Sequence, residues 1–185
     1  MVKVKGGAGE LAVFEIRKFG DPVLRRRADE VESVDASIRK LMQDMRETME
    51  AAPGVGLAAP QIGILRRVIV WHNHEDDDHG ALANPAILES RGSVVGDEGC
   101  LSLPGLSYPV ARAEWVLVEG LSDAAERVEV EAEGLTARIF QHEIDHIDGV
   151  LFIDRIDPDL QREARKRLRE QALGGDGGRT GSAVL

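Results

Sequence analysis

Apolar positions spaced by three and four recur over residues 33–51, at Val34, Ile38, Leu41, Met42, Met45 and Met49. They predict an amphipathic helix that Pro53 and Gly54 stop, with its methionines as adaptable core filling. A short hydrophobic run at 67–71 predicts a strand. Alternating or β-branched patches at 86–88, 115–119 and 128–133 predict more strands, so the middle of the chain is expected to form an antiparallel or mixed sheet. Helical spacing returns at Leu135, Ile139, His142 and His146, and a last helix is expected over 158–173, with Pro158 at its N-terminal position. Gly6, Gly7 and Gly9 suggest a loose leader, and the glycines between Gly174 and Gly181 a frayed tail. The expected layout is a leader at 1–12, one domain at 13–173 and a tail at 174–185.

With 185 residues, 43% of them hydrophobic and 30% charged, the chain reads as one globular domain able to bury its own core. A net charge of -10 argues against a broad nucleic-acid-coating surface but leaves room for a local basic contact. The last helix carries five basic side chains against three acidic ones over residues 159–173, a balance usually found on a solvated face. The first ten residues lack the apolar stretch of a secretory signal, and no apolar run is long enough to span a membrane. Cytoplasmic residence is expected, and a reducing compartment suits the single cysteine, Cys100.

The strongest chemical signal is His142-Glu143-Ile144-Asp145-His146. On a helix, histidines at i and i+4 stand one turn apart on one face and can converge on one cation, while Glu143 can hold a water there and take its proton. No histidine follows His146, and Glu163 and Glu170 lie in the charged last helix, where surface ion pairs are the expected use. Cys100 is the better third ligand, since two nitrogens and a thiolate leave a fourth position open; its plain alternative is a buried apolar thiol. The run His72 to Gly80, HNHEDDDHG, carries three histidines and four acids and admits a metal reading, but its crowding after a strand favours an exposed loop. Gly54, Gly56 and Gly63 allow sharp turns or close backbone approach and do not follow nucleotide-binding spacing. Glu98 is expected to brace a neighbouring group or its loop, and Asp145 to brace a neighbouring charge or face solvent.

Three segments together, GVGLAAPQIG at 54–63, EGCLSLP at 98–104 and QHEIDHIDGVLF at 141–152, resemble the three signature motifs of the peptide deformylases in the family's order. The resemblance extends from FGDPVL at 19–24 to the helix near Leu173. It implies an α+β fold with antiparallel or mixed sheets around a central helix that carries HExxH. It further implies that Cys100, His142 and His146 hold one metal per chain, generally Fe2+, with Zn2+, Ni2+ or Co2+ able to replace it. Glu143 matches the catalytic carboxylate. Gln61, through its side-chain amide, and the backbone N–H of Leu101 match the groups that steady the formyl oxygen, and Gly56 matches a backbone position that helps hold the substrate. The implied reaction removes the formyl group from the N-terminal formylmethionine of nascent peptides, near the ribosomal exit tunnel, which some members reach through a basic C-terminal helix. A methionine side chain needs an unbranched apolar pocket, for which Val55, Leu101, Ile139 and His142 are candidates by adjacency. One departure is Ser107, seven residues after the cysteine, where the best known bacterial branch often has arginine. Two other functions compete: an HExxH metallopeptidase, and a metal-stabilised ribosome-binding module without catalysis. Glu143 and Gln61 beside the ligands speak against the second, which needs neither a base nor an oxyanion donor.

Overall fold

The computed structural model describes residues 2–4 and 11–173. Its centre is an antiparallel five-stranded sheet in the order β3 (Gly56–Ala58), β4 (Val68–Asn73), β5 (Asp78–Arg91), β8 (Trp115–Leu121) and β9 (Arg127–Glu133). A second antiparallel ribbon pairs β6 (Val94–Gly99) with β7 (Ser107–Arg112). The helices are α1 (Ala36–Ala51), α2 (Gly134–Ile147) and α3 (Pro158–Ala172). Among the described residues every strand ladder is antiparallel, with one isolated parallel bridge between Asp29 and Arg66.

Strand β4 shows why the sheet lies between helices. Its alternate residues Val68 and Val70 pack with Met42, Met45 and Met49 of α1, whereas Ile69 and Trp71 pack with Phe140 and Ile144 of α2. A strand buried on both faces reads as a continuous apolar run, which is how 68–71 reads after Arg67. Trp71 meets Phe140 edge to face, with centroids 4.8 Å apart, and burying such a side chain contributes about 1.5–3 kcal/mol.

Helix α1 begins three residues after the start of the predicted span, because the Asp35 side chain accepts from the backbone N–H groups of Ser37 and Ile38 and fixes the N-terminus there. Its methionines are core, as the pattern predicts. Helix α3 ends at Ala172, with Leu173 as its cap.

The sheet is longer than the patches suggested. Strand β5 runs through the acidic end of the 72–80 segment, which is the tip of a β4–β5 hairpin and not a free loop. The ladder slips between Ala83 and Ala86, where Asn84 adopts a φ of 52° and its side chain bonds both the N–H and the carbonyl of Val31 at 2.8 Å. The whole β6–β7 ribbon escaped the pattern reading. Within the segment expected to be a loose leader, Val2–Val4 (β1) pairs with Leu11–Val13 (β2). The tail expected at 174–185 lies outside the described residues.

The ribbon positions the site. Helix α2 presents Ala137, Phe140, Ile144 and Ile147 to the five-stranded sheet, and turns Arg138, His142 and Asp145 toward β6 and β7. A third apolar cluster, with Leu103, Val110, Phe152, Ala164 and Leu168, closes the ribbon against α3 and takes in Cys100. No helix among the described residues is long and apolar enough to cross a membrane.

Candidate active site

Helical spacing in α2 brings the imidazoles of His142 and His146 within 4.9 Å, centroid to centroid. Cys100 reaches them from the turn just after β6: its Sγ is 3.2 Å from His146 Nε2, and one donor atom from each of the three residues lies within 4.8 Å of the others. All three side chains are buried.

His142 has its orientation set from behind. Glu98 Oε2 lies 3.0 Å from His142 Nδ1, and a carboxylate can only accept, so Nδ1 carries the proton and Nε2 keeps a free lone pair. Glu98, fully buried, also takes two bonds from Arg112, at 2.8 and 3.0 Å, and one from Arg138 at 2.8 Å. Burial alone would push this carboxyl up, but the bonds from His142 and Arg112 outweigh it and hold it down at about 2. Asp145 extends the network to Arg112 at 2.7 Å and to Arg155 at 2.6 Å. It is buried and braces two guanidiniums, so of its two expected uses the structure selects the first. The composition reading passed over Arg112 and Arg138. Arg138 could have been found by its position one turn before His142; Arg112 carries no local signal.

The ligand set is electrostatically suited to a cation. Burial pushes the Cys100 thiol up to about 12, with the neighbouring Glu143 charge adding to the effect, and the Ser102 N–H facing the sulfur at 3.4 Å opposes it. Burial, then the neighbouring His142, hold His146 well below the ordinary histidine value. His142 Nε2 and both carboxylate oxygens of Glu143 are buried without a hydrogen-bond partner. Unpaired buried polar atoms are costly, about 1–3 kcal/mol each, and a divalent ion bound by a thiolate and two imidazoles would remove that cost for the donors it takes up. The residues therefore fit a metal centre with a position left open.

Gln61 sits in the 3-10 turn Ala59–Ile62, fully buried. Its Oε1 accepts from the Ala58 N–H at 2.7 Å, which aims Nε2 at Cys100 Sγ, 3.6 Å away, and Ser102 Oγ, 3.5 Å away. The amide is thus a fixed donor beside the sulfur. Next to it, Lys18 Nζ donates to the Leu101 carbonyl at 2.8 Å and holds the chain that follows the cysteine. Leu101 also lies against Gly54, where an added Cβ would come within 2.8 Å of its Cδ1.

Burial, then the charge of Glu98, raise the Glu143 carboxyl well above the carboxylate range. Strand β3 runs directly past it, and Ile139 borders the same approach: an added Cβ on Gly56 would lie 2.4 Å from Glu143 Oε1 and 2.9 Å from Ile139 Cγ2. Val55 is partly buried against the α2 cluster. The structure therefore brings together Gly56, Gln61, Cys100, Leu101, Ile139, His142, Glu143 and His146, with Val55 beside them.

A family of proteins described as polypeptide deformylase matches residues 13–162. The chain is 50% identical over 165 residues to a peptide deformylase of Acidothermus cellulolyticus, covering 89% of this chain and 91% of that protein. The crystal structure of peptide deformylase from Thermus thermophilus is similar at a TM-score of 0.81 and 45% identity, over 87% of this chain and 96% of that one. A peptide deformylase crystal structure from Legionella pneumophila is similar at a TM-score of 0.81 and 41% identity, over 88% of this chain and 96% of that one.

Proposed function

The chain belongs to the peptide deformylase family, and on that premise we propose that it removes the N-formyl group from formylmethionyl nascent peptides at the site built by Cys100, His142 and His146. The observation that carries this reading is the buried convergence of one sulfur and two imidazole donors beside an unpartnered Glu143 carboxylate. One ion per chain would be held by Cys100 Sγ, His146 and His142 Nε2. When bound, a divalent ion supplies Lewis-acid polarisation and a water acidified toward neutral pH. The family resemblance favours Fe2+ as that ion, with Zn2+, Ni2+ or Co2+ as substitutes.

The chain's own residues do the rest. Glu143, desolvated and raised in proton affinity, takes the proton of the attacking water and passes it to the departing amine nitrogen, so water and formamide become formate and a free α-amine. As the carbonyl becomes tetrahedral, the Gln61 Nε2 and the Leu101 N–H donate to the oxygen that gains charge; one such donor is worth about 3 kcal/mol of barrier. Glu98, Arg112 and Arg138 hold His142 in one tautomer. The Gly56 backbone holds the peptide against Glu143, and Val55, Leu101, Ile139 and His142 border the methionine side chain. Residues 13–173 act as one catalytic domain in the cytoplasm, on nascent peptides near the ribosomal exit tunnel.

The test is formate release from a formyl-Met peptide by metal-loaded protein, with the unformylated peptide as control. Glu143→Ala should keep its metal and lose turnover by about a hundredfold or more. Cleavage of internal peptide bonds instead would move the assignment to the metallopeptidase reading.

A further inference from the structure

Among the described residues, the catalytic site leaves one group of metal-ligating side chains unused, at the turn end of the β4–β5 hairpin. His72 and His79 are direct cross-strand partners in the antiparallel register, so their imidazoles leave the same face of the sheet, with centroids 5.3 Å apart. His74 packs on His72, centroid to centroid 3.8 Å. Asp77, in the turn with a φ of 52°, places Oδ1 3.6 Å from His72 Nε2 and 3.8 Å from His79 Nδ1. Both separations exceed a hydrogen bond, so no direct bond spans the space between the carboxylate and the two rings. His79 Nδ1 lies 3.1 Å from the Asp77 carbonyl oxygen, which can only accept, so this nitrogen is the donor here and an ion would take the ring by its Nε2 or displace that bond.

The turn is held in place by other side chains. Buried Asn73 donates to Thr136 Oγ1 of α2 at 3.1 Å and to Asp76 at 3.0 Å, and accepts from the Glu75 N–H at 3.1 Å. Asp78 accepts from the Trp71 indole at 3.3 Å. Asp76 and Asp78 are thereby engaged elsewhere, and Asp77 is the carboxylate turned to the rings. One donor atom from each of His72, Asp77 and His79 lies within 4.8 Å of the others. Tetrahedral zinc needs ligand separations of about 3.4 Å, which modest rotations of the exposed Asp77 and His79 side chains toward the half-buried His72 can reach.

We propose that His72, Asp77 and His79, with His74 beside them, bind a second divalent transition-metal ion of the zinc class. Imidazole and carboxylate donors without a thiolate suit a borderline cation held more loosely than at Cys100. The His72 N–H donates to the Val55 carbonyl at 2.9 Å, so an ion at this hairpin would tie its turn end to the chain entering β3, which passes Glu143.

The experiment is Zn2+ titration of holoenzyme whose catalytic site is already filled, read by calorimetry and by imidazole nitrogen shifts in NMR. The expected result is one further equivalent per chain that perturbs the His72 and His79 rings. Its affinity should fall by about tenfold or more in His79→Ala and in Asp77→Asn. Both residues are exposed, at 61% and 89% of their side-chain surface, so folding is preserved, and thermal melts would verify it. Cys100→Ser should lose the catalytic equivalent and keep this one, which separates the two sites. Absence of a further equivalent, or one unchanged in both hairpin variants, would overturn the proposal.

Discussion

Gly56 passes so close to Glu143 that a single methyl group at position 56 would lie 2.4 Å from the carboxylate Oε1. No Cβ fits at that distance, so Gly56→Ala must displace either β3 or the carboxylate. Glycine is required here for space, since Gly56 is not among the positive-φ residues. Misplacing a general base by about 1 Å costs about a hundredfold in rate. Steady-state kinetics of Gly56→Ala should therefore show kcat down by about that factor with metal content unchanged. A rise in KM alone would place Gly56 purely in peptide binding.

Glu98 is the acid on which the histidine, Arg112 and Arg138 all converge. Glu98→Gln keeps the shape but leaves two buried guanidiniums short of a negative partner, with Asp145 alone still serving Arg112. Breaking a buried ion pair from one side costs about 3–5 kcal/mol, and loss of a ligand's outer partner weakens metal binding about 10- to 100-fold. Thermal melts and competition with a chelator should both shift. Normal metal affinity in a destabilised protein would confine Glu98 to structural support.

The metal-binding half of the site was legible because it is local. His142, Glu143 and His146 share one helical turn, and the spacing by three and four of Leu135, Ile139, His142 and His146 predicts the helix that carries them. Cys100 was legible as a candidate third ligand from its donor chemistry, and Gln61 through the family resemblance, whereas their geometry depends on strands far apart in sequence. The β6–β7 ribbon was not legible. Its inward positions include Glu98 and Arg112, and charges in a sequence read as surface unless their partners, here Arg138 and Asp145 on α2, are known to face them. Gly96 and Gly99 in one strand and Pro109 in the other weaken the strand signal further. The histidine-rich tip is an exposed turn over 74–77, as expected, but its flanks were misjudged. Its polarity suggests a loop, but the ladder from Val68 to Asn73 opposite Ala83 to Asp78 makes it a hairpin.

Asp154 ties the segment after α2 to the rest of the fold. Its carboxylate accepts from the Leu151 N–H at 2.9 Å and pairs with Arg25 and Arg165. Burial pushes this carboxyl up, but the Arg25 bond, the Leu151 N–H and the two arginine charges together hold it below the usual range. A depressed folded-state value means stability that is present above the unfolded-state titration and lost as pH falls through the folded one. Asp154→Asn should cost about 1 kcal/mol at neutral pH. The gap from the parent protein should close in acid, below the ordinary carboxylate range. Denaturant midpoints measured across that range would test it; a gap independent of pH would assign the effect to packing.

Gln61 provides the sharpest separation of binding from catalysis. Its Oε1 is committed to the Ala58 N–H at 2.7 Å, so the amide cannot flip without losing that bond, and Nε2 stays aimed beside Cys100. A donor fixed in advance costs no reorganisation as charge grows on the carbonyl oxygen. Gln61→Leu conserves size and removes the donor, so kcat and kcat/KM should fall together, by roughly a hundredfold to a thousandfold. The Ala58 N–H also loses its acceptor, at a cost of about 1–3 kcal/mol to folding. Because Gln61 donates toward the sulfur without being a metal donor, metal occupancy should remain one per chain. Kinetics on a formyl-Met peptide, with metal content measured in the same samples, decide the matter. A raised KM at unchanged kcat would mean that Gln61 grips the ground state, and loss of metal would mean that the turn supports Cys100 instead.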